Sequence, residues 1–141
     1  MTPEQVKLIQ ESFAKIAPIS DKAAEMFYDR LFAVAPQVRT LFPDDITQQR
    51  RKLMATLAAV VDGLGNLPTI LPAASALAKR HVAYGAQAAH YPIVGEVLLW
   101  TLQRGLGPDW TSDVAAAWTS AYATLSGFMI GEAYGSSEAA E

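Results

Sequence analysis

Apolar residues recur every three or four positions along most of the chain, the spacing that places them on one face of an α-helix. The first such run lies between Pro3 and Pro18. Its apolar positions are Val6, Ile9, Phe13 and Ile16. Thr2 and Gln5 have the spacing of a capping box, in which each side chain bonds to the main-chain N–H group of the other residue. The pattern predicts an amphipathic first helix.

Five more helices and one short helical turn follow, each delimited by proline, glycine or a capping residue. The predicted helices cover residues 20–35, 47–64, 72–83, 93–106 and 112–133, and the turn covers 36–42. No segment alternates apolar and polar residues as a half-buried strand does, and no internal repeat is present. We therefore predict an all-α protein with one domain over residues 1–134 and a flexible tail over 135–141.

The composition fits one soluble domain. The 141 residues are 51% hydrophobic and 18% charged, which provides enough apolar material for a core. The formal net charge is −3, and the only basic cluster is Arg50, Arg51 and Lys52. A cluster this small is typical of a solvated helix and not of a nucleic-acid site. With no cysteine in the chain, disulfide and thiolate chemistry are excluded.

We expect no targeting signal. Residues 1–7 contain no apolar run of the kind that a signal peptide requires. We expect no membrane span, because no apolar stretch approaches the ~18–20 residues that one needs. The default expectation is a cytoplasmic protein with no nucleic-acid partner.

Side chains that could form an active site on their own are few. The sequence has no glycine-rich phosphate loop and no cluster of metal ligands, and its two histidines are His81 and His90. The carboxylates are scattered along predicted helix surfaces. A helical chain with so few functional groups is better suited to the chemistry of a bound cofactor.

His81 is the candidate ligand for such a cofactor. It lies on the predicted 72–83 helix, one turn after Leu77, which gives it an apolar neighbour. An imidazole in this position can hold haem iron from one axial side. A histidine on a helix surface, or one hydrogen-bonded in the core, fits the same local pattern.

Three more side chains stand out by their positions. Phe42 ends a helical turn just before an acidic break, where a large aromatic residue needs something to pack against. Tyr28 is on the apolar face of its helix, so its hydroxyl needs a partner when buried. Gln49 is in phase with Leu53 and points inward, whereas Gln48 should face water. Core packing, a satisfied core tyrosine and a solvated glutamine remain the alternatives.

In this order and spacing the residues resemble the globin family, particularly single-domain bacterial haemoglobins and the haem domains of flavohaemoglobins. The resemblance covers about residues 3–134. The segments that carry it are Phe27-Tyr28 with Leu31-Phe32, Pro36-x-Val38-x-x-Leu41-Phe42, Leu67-Pro68-x-Ile70-Leu71-Pro72, Arg80-His81-x-x-Tyr84-Gly85, His90-Tyr91-Pro92-Ile93-Val94-Gly95 and Ala117-Trp118-x-x-x-Tyr122. The resemblance implies a globin fold, with helices packed around a pocket for haem b (iron protoporphyrin IX).

On the side where gas would bind, the resemblance implies that Phe42 stacks against the haem. Tyr28, Gln49 and Leu53 would line the distal pocket. Phase favours Gln49 over its neighbours Gln48 and Arg50 for this place.

On the opposite side, the resemblance implies that His81 is the proximal iron ligand and that Leu77 packs beside it. Tyr91 matches the tyrosine that this subgroup places near the proximal histidine. Glu132 would supply the carboxylate of the same network, although it is one residue closer to Trp118 than in some relatives.

The resemblance implies a protein that binds oxygen or another diatomic gas reversibly, for storage or delivery. The alternative is nitric oxide dioxygenation, which would require a separate reductase because the 141 residues contain no flavin- or nicotinamide-binding module. A haem-free sensor or interaction module on the same fold is a third possibility, but it would have no reason to keep both His81 and Phe42.

Overall fold

Six α-helices account for most of the chain in a computed structural model, which describes residues 2–83, 85 and 89–134, the side chain of residue 134 excepted. The helices are α1 (Pro3–Ile16), α2 (Ser20–Val34), α3 (Thr47–Gly63), α4 (Leu67–Ala83), α5 (His90–Leu106) and α6 (Ser112–Tyr134). The predicted 36–42 turn is a 3₁₀ helix, Pro36–Leu41. No strand occurs in the described ranges, and the prediction of an all-α fold is confirmed. The predicted tail, 135–141, lies outside the described residues.

The start of α1 follows from its first residues. The main-chain N–H of Gln5 donates to the Thr2 hydroxyl at 3.2 Å, and the N–H of Thr2 donates to the Gln5 side chain at 3.1 Å. Pro3 occupies the first helical position, where its missing N–H costs no helical hydrogen bond. The predicted capping box is therefore present.

Two helices begin earlier than predicted, and proline accounts for both differences. α4 begins at Leu67 instead of residue 72, because Pro68 is in the first turn and Pro72 interrupts only one hydrogen bond inside the helix. α5 begins at His90 instead of residue 93, and Pro92 again lies within the first turn. The sequence predicts helix starts at Pro72 and Ile93, whereas Pro68 and Pro92 lie in the first turns of the two helices, where proline is compatible with the helix, and Pro72 lies further along α4.

The earlier start of α4 joins it to α3 in a nearly continuous helical stretch, Thr47–Ala83, of 37 residues. Its most apolar 18-residue window has a mean hydropathy of 1.4, so by length and composition alone it could cross a membrane. The sequence pattern predicts a break in this stretch near Leu64, and it therefore predicts no membrane span. A single stretch of this kind is weak evidence for a membrane span. Only 11% of the window is buried, so α3 and α4 carry apolar side chains that the protein covers incompletely.

The buried core of the described residues divides into two clusters. The larger cluster joins α1, α2, α3, α5 and the first half of α6. Within it the Trp118 indole N–H of α6 donates to the Ser12 hydroxyl of α1 at 2.9 Å. The smaller cluster joins α4, the start of α5 and the second half of α6 through Ala74, Ala78, Tyr91 and Met129. α4 therefore packs mainly against α6, at one end of the larger core.

The predicted basic cluster lies at the start of α3. Arg51 and Lys52 are exposed, as expected for a solvated stretch of helix, whereas Arg50 is half-buried. Among the described residues no salt bridge involves any of the three side chains.

Candidate functional site

Tyr28 and Gln49 meet where α2 crosses the start of α3. The Gln49 side-chain amide donates a hydrogen bond to the Tyr28 hydroxyl oxygen at 3.1 Å. Because the oxygen of Tyr28 is the acceptor, its own O–H proton is left to donate to another group. Tyr28 is 3% exposed and Gln49 is half-buried, so the pair lies at the edge of the core. Gln48 is exposed, in agreement with the helical phase that favoured Gln49.

Aromatic rings surround the Tyr28 side chain. The ring centroid of Phe42 lies 5.7 Å from that of Tyr28 and 5.4 Å from that of Phe32, both edge-on. Phe42 is only half-buried, although its neighbours hold it in place. Leu53, one turn after Gln49 on α3, is also half-buried and packs against the larger core cluster. The predicted distal residues are thus brought together, with apolar surface that is partly open.

Burial keeps Tyr28 protonated. Desolvation raises the pKa of the Tyr28 phenol, and the hydrogen bond from Gln49 offsets part of that rise. A phenol that stays neutral remains a hydrogen-bond donor throughout the physiological pH range.

The raised pKa of Tyr28 predicts a loss of stability at alkaline pH. Because the unfolded chain ionises this tyrosine near pH 10.0 and the folded chain ionises it only above that, its contribution is complete below pH 10.0 and declines as pH rises further. We expect the free energy of unfolding of the wild type to fall more between pH 9 and pH 11 than that of Tyr28→Phe. Urea unfolding at the two pH values measures this difference, and equal declines would contradict it.

His81 lies in the last turn of α4 and is half-buried. Its Nδ1 atom is 2.8 Å from the main-chain carbonyl oxygen of Leu77. A carbonyl can only accept, so Nδ1 is the donor in this bond and Nε2 is the ring nitrogen left for another partner. The same bond fixes the orientation of the ring. His81 is therefore oriented as a histidine that could ligate a metal through Nε2.

Tyr91, at the start of α5, packs beside His81. The two ring centroids are 6.2 Å apart, and the rings are tilted by 33°. The Tyr122 hydroxyl of α6 donates to the main-chain carbonyl of Tyr91. Burial, reinforced by Tyr91, raises the pKa of Tyr122, so this donor stays protonated. In the sequence, Tyr122 serves to mark the last helix. Its bond to Tyr91 could not be predicted from the sequence, because the two residues are far apart along the chain.

The contact between Tyr122 and α5 requires a glycine. A β-carbon at Gly95 would lie 2.6 Å from the Tyr122 ring, a distance that no packed structure tolerates. We expect Gly95→Ala to lower the thermal midpoint by several degrees, since overpacking costs about 1–3 kcal/mol. Gly127→Ala is the matched control, because a β-carbon there meets nothing within 4 Å. Thermal unfolding followed by circular dichroism measures both variants, and equal midpoints would contradict the expectation.

Glu132 is exposed near the end of α6, and its carboxylate accepts a hydrogen bond from the Ser75 hydroxyl at 2.7 Å. Ser75 is on α4, so this bond connects the helix of His81 to α6. The predicted link between Glu132 and Tyr91 is not among its described contacts and stays a prediction. Ser75 was not identified from the sequence, because an isolated serine within a helix carries no signal of its partner.

These residues fit a flat apolar cofactor with a central metal. Tyr28 belongs to the larger core cluster, against which Phe42 and Leu53 pack, and Tyr91 belongs to the smaller one, against which Leu77 packs. Half-buried apolar side chains border both clusters, and incompletely covered apolar surface is what a haem needs from its protein. Among the described residues no group of three or more His, Cys, Asp or Glu side chains could hold a metal alone. A cofactor such as haem would bring the other ligands of a metal bound by His81.

Comparisons with known proteins bear on the family and the fold of the chain. A model of the globin family matches residues 25–129. Flavohemoproteins from Bordetella parapertussis and Vibrio cholerae are 30% and 31% identical to the chain over 134 and 136 residues, and the matches cover 93% and 92% of it. These matches cover 33% and 34% of the flavohemoproteins, so the chain spans about a third of their length.

Solved structures give the same result for the fold. An engineered carbene transferase derived from a candidate nitric oxide dioxygenase of Rhodothermus marinus superposes with a TM-score of 0.84 and 28% identity, covering 100% of this chain and 99% of the other. A bacterial globin from Campylobacter jejuni superposes with a TM-score of 0.83 and 24% identity, covering 94% of this chain and 96% of the other. The second likeness supports the fold alone.

Proposed function

This chain belongs to the globin family, and from that premise we propose that it holds haem b through His81 and binds oxygen reversibly on the opposite side. The observation that carries the proposal is the 2.8 Å contact between His81 Nδ1 and the Leu77 carbonyl. It leaves Nε2 as the ligating atom and fixes the ring. A partner on the second ring nitrogen of this kind supports a histidine that ligates a metal.

The apolar side chains supply the affinity for the porphyrin. Phe42 and Leu53 would cover one face of it, and Leu77 and Tyr91 would lie on the side of His81. Burying several hundred Å² of apolar surface at ~25 cal/mol per Å² contributes on the order of ten kcal/mol before the costs of binding. The partly covered surface of Phe42, Leu53 and Leu77 supports this role, and Tyr91 is buried beside His81.

Tyr28 and Gln49 provide selectivity among gases. Haem held by His81 would supply reversible binding of a diatomic gas, and oxygen is the gas that would attract hydrogen-bond donors through its negative charge. The Tyr28 hydroxyl keeps a proton to donate, because its oxygen already accepts from Gln49. The Gln49 amide has a second N–H for the same purpose. These donors favour oxygen over carbon monoxide, which takes on little charge, and they slow the release of oxygen.

The second candidate function is nitric oxide dioxygenation, in which one nitric oxide, one oxygen and one electron give one nitrate. The flavohemoprotein relatives favour it, as does the structural neighbour described as a candidate nitric oxide dioxygenase. The electron must come from a reductase outside these 141 residues. We propose such a reductase as a partner, and a cytoplasmic location for the pair.

Nitric oxide consumption separates the two candidates. We expect protein that has been reduced and loaded with oxygen to consume about one equivalent of nitric oxide and then to stop. A purified flavin reductase with NADH should then sustain consumption if dioxygenation is a function of this chain. Absence of sustained turnover, with reversible oxygen binding intact, would leave storage or delivery as the function. Failure to bind oxygen would reject both candidates.

A further inference from the structure

Arg39 makes three side-chain hydrogen bonds at the corner between the 3₁₀ helix Pro36–Leu41 and α3. Its Nη1 atom donates to the carbonyl oxygens of Phe42 at 3.3 Å and Pro43 at 2.9 Å. Its Nη2 atom donates to the carbonyl oxygen of Asp44 at 3.0 Å. One guanidinium thus satisfies three successive carbonyl groups that lie outside any helix.

Arg39 also contacts Phe42 through its main-chain carbonyl and, by way of the Phe32 ring, through its guanidinium group. The main-chain N–H of Phe42 donates to the Arg39 carbonyl oxygen at 3.1 Å, so Arg39 contacts both polar main-chain groups of Phe42. The guanidinium carbon lies 4.9 Å from the ring centroid of Phe32, and the edge of that ring meets Phe42. The main chain of Phe42 therefore contacts Arg39 directly, and its ring is connected to Arg39 through the ring of Phe32.

The rest of the corner has its own support. The Asp45 carboxylate accepts hydrogen bonds from the main-chain N–H and the hydroxyl of Thr47 at the start of α3. The Ile46 carbonyl accepts from the main-chain N–H of Arg50 in the first turn of α3. The carbonyl groups of Phe42, Pro43 and Asp44 take their described side-chain contacts from Arg39, and without it they would lose those partners.

We propose that Arg39 is the positioning residue for Phe42, and that it keeps the Phe42 ring where it can cover a bound haem. The inference rests on the proposed function, because Phe42 acquires this role only if haem binds. A planar guanidinium with two separate terminal nitrogens can span three carbonyl groups. A lysine keeps the charge but places all its donors on one nitrogen, so it cannot reproduce this arrangement.

Arg39→Met and Arg39→Lys test the proposal, with Arg30→Met as the matched control. Arg30 also stacks on an aromatic ring, with its guanidinium carbon 5.0 Å from the Trp100 centroid. Unlike Arg39, it makes no side-chain hydrogen bond to main chain among the described contacts. The ferric, haem-loaded proteins are compared by amide hydrogen exchange of residues 42–46 and by haem loss to excess apomyoglobin. For each protein, both rates are measured at a temperature that lies the same number of degrees below its own thermal midpoint. A loss of stability alone then does not change the two rates.

We expect both Arg39 variants to lose haem at least tenfold faster than the wild type and to exchange faster over residues 42–46, and Arg30→Met to stay within twofold. An Arg39→Lys protein with wild-type rates would overturn the proposal, since charge alone would then suffice. Faster exchange with unchanged haem loss would overturn it too, because Phe42 would not depend on the corner. A wild type that takes up no haem would instead overturn the proposed function, which is a separate and recognisable result.

Discussion

Replacing His81 by glycine is expected to abolish stable haem binding, and imidazole added to the solution is expected to restore it. His81 would supply the bond from the protein to the haem iron, and the contact of its Nδ1 atom with the Leu77 carbonyl leaves Nε2 for that bond. Loss of contacts that merely orient a ligand costs roughly 10–100-fold in metal affinity, so loss of the ligand itself should cost more. The glycine leaves room in which a free imidazole can bind.

The second histidine provides the control for this substitution. His90 begins α5, and the chain contains no histidine besides it and His81. We expect His90→Gly to retain haem and the wild-type absorption spectrum without imidazole. Haem titration followed at the Soret band compares the proteins. A His81→Gly variant with wild-type haem affinity, or loss of haem only in His90→Gly, would show that the axial ligand has been assigned to the wrong residue.

Replacing Tyr28 by phenylalanine is expected to accelerate oxygen dissociation by about 5–150-fold, which corresponds to a hydrogen bond of ~1–3 kcal/mol. The substitution removes the hydroxyl and keeps the ring that packs between Phe27 and Phe42. Carbon monoxide dissociation should change much less, because that ligand carries little negative charge. Stopped-flow displacement of each gas measures the two rates.

Tyr122→Phe is the matched control, since it removes a buried hydroxyl from the other side of the site. Any effect of Tyr122→Phe would act through Tyr91 and His81, so we expect oxygen and carbon monoxide rates to change by the same factor. Tyr28→Phe should separate the two rates. If Tyr28→Phe left the oxygen rate unchanged, Tyr28 would have no part in stabilising the bound gas.

Gln49→Leu adds a test of how the distal pair works. Because the Gln49 amide donates to the Tyr28 oxygen, the two side chains form one network and their effects should not add. We expect the rate of oxygen release from the double variant, Tyr28→Phe with Gln49→Leu, to be at most several times the rate from Tyr28→Phe alone.

Local sequence signals were sufficient for much of the fold. The capping box at Thr2 and Gln5 fixed the start of α1, and helical phase distinguished Gln49 from Gln48. Prolines were less informative, because the same residue ends a helix or begins one according to its place in the turn. That ambiguity explains the late predicted starts of α4 and α5.

Contacts between distant parts of the chain could not be predicted in the same way. Tyr122 reaches the Tyr91 carbonyl only because α5 and α6 pack closely at Gly95. Arg39 lies at an unassigned position of the motif that ends at Phe42. Its hydrogen bonds to main-chain carbonyl groups could not be predicted, because every residue carries such a group whatever its side chain. Glu132 is predicted by resemblance to belong to the network of Tyr91, and its described hydrogen bond is to Ser75.

The central claim is that the chain binds haem with one axial position open to gas. The most direct test is the absorption spectrum of the purified wild type, after haem reconstitution if needed, in the ferric state, after reduction with dithionite, and after exposure to carbon monoxide. We predict a Soret band that shifts on reduction and shifts again when carbon monoxide binds. A protein that shows no Soret band after reconstitution, or whose reduced spectrum does not respond to carbon monoxide, would contradict the claim.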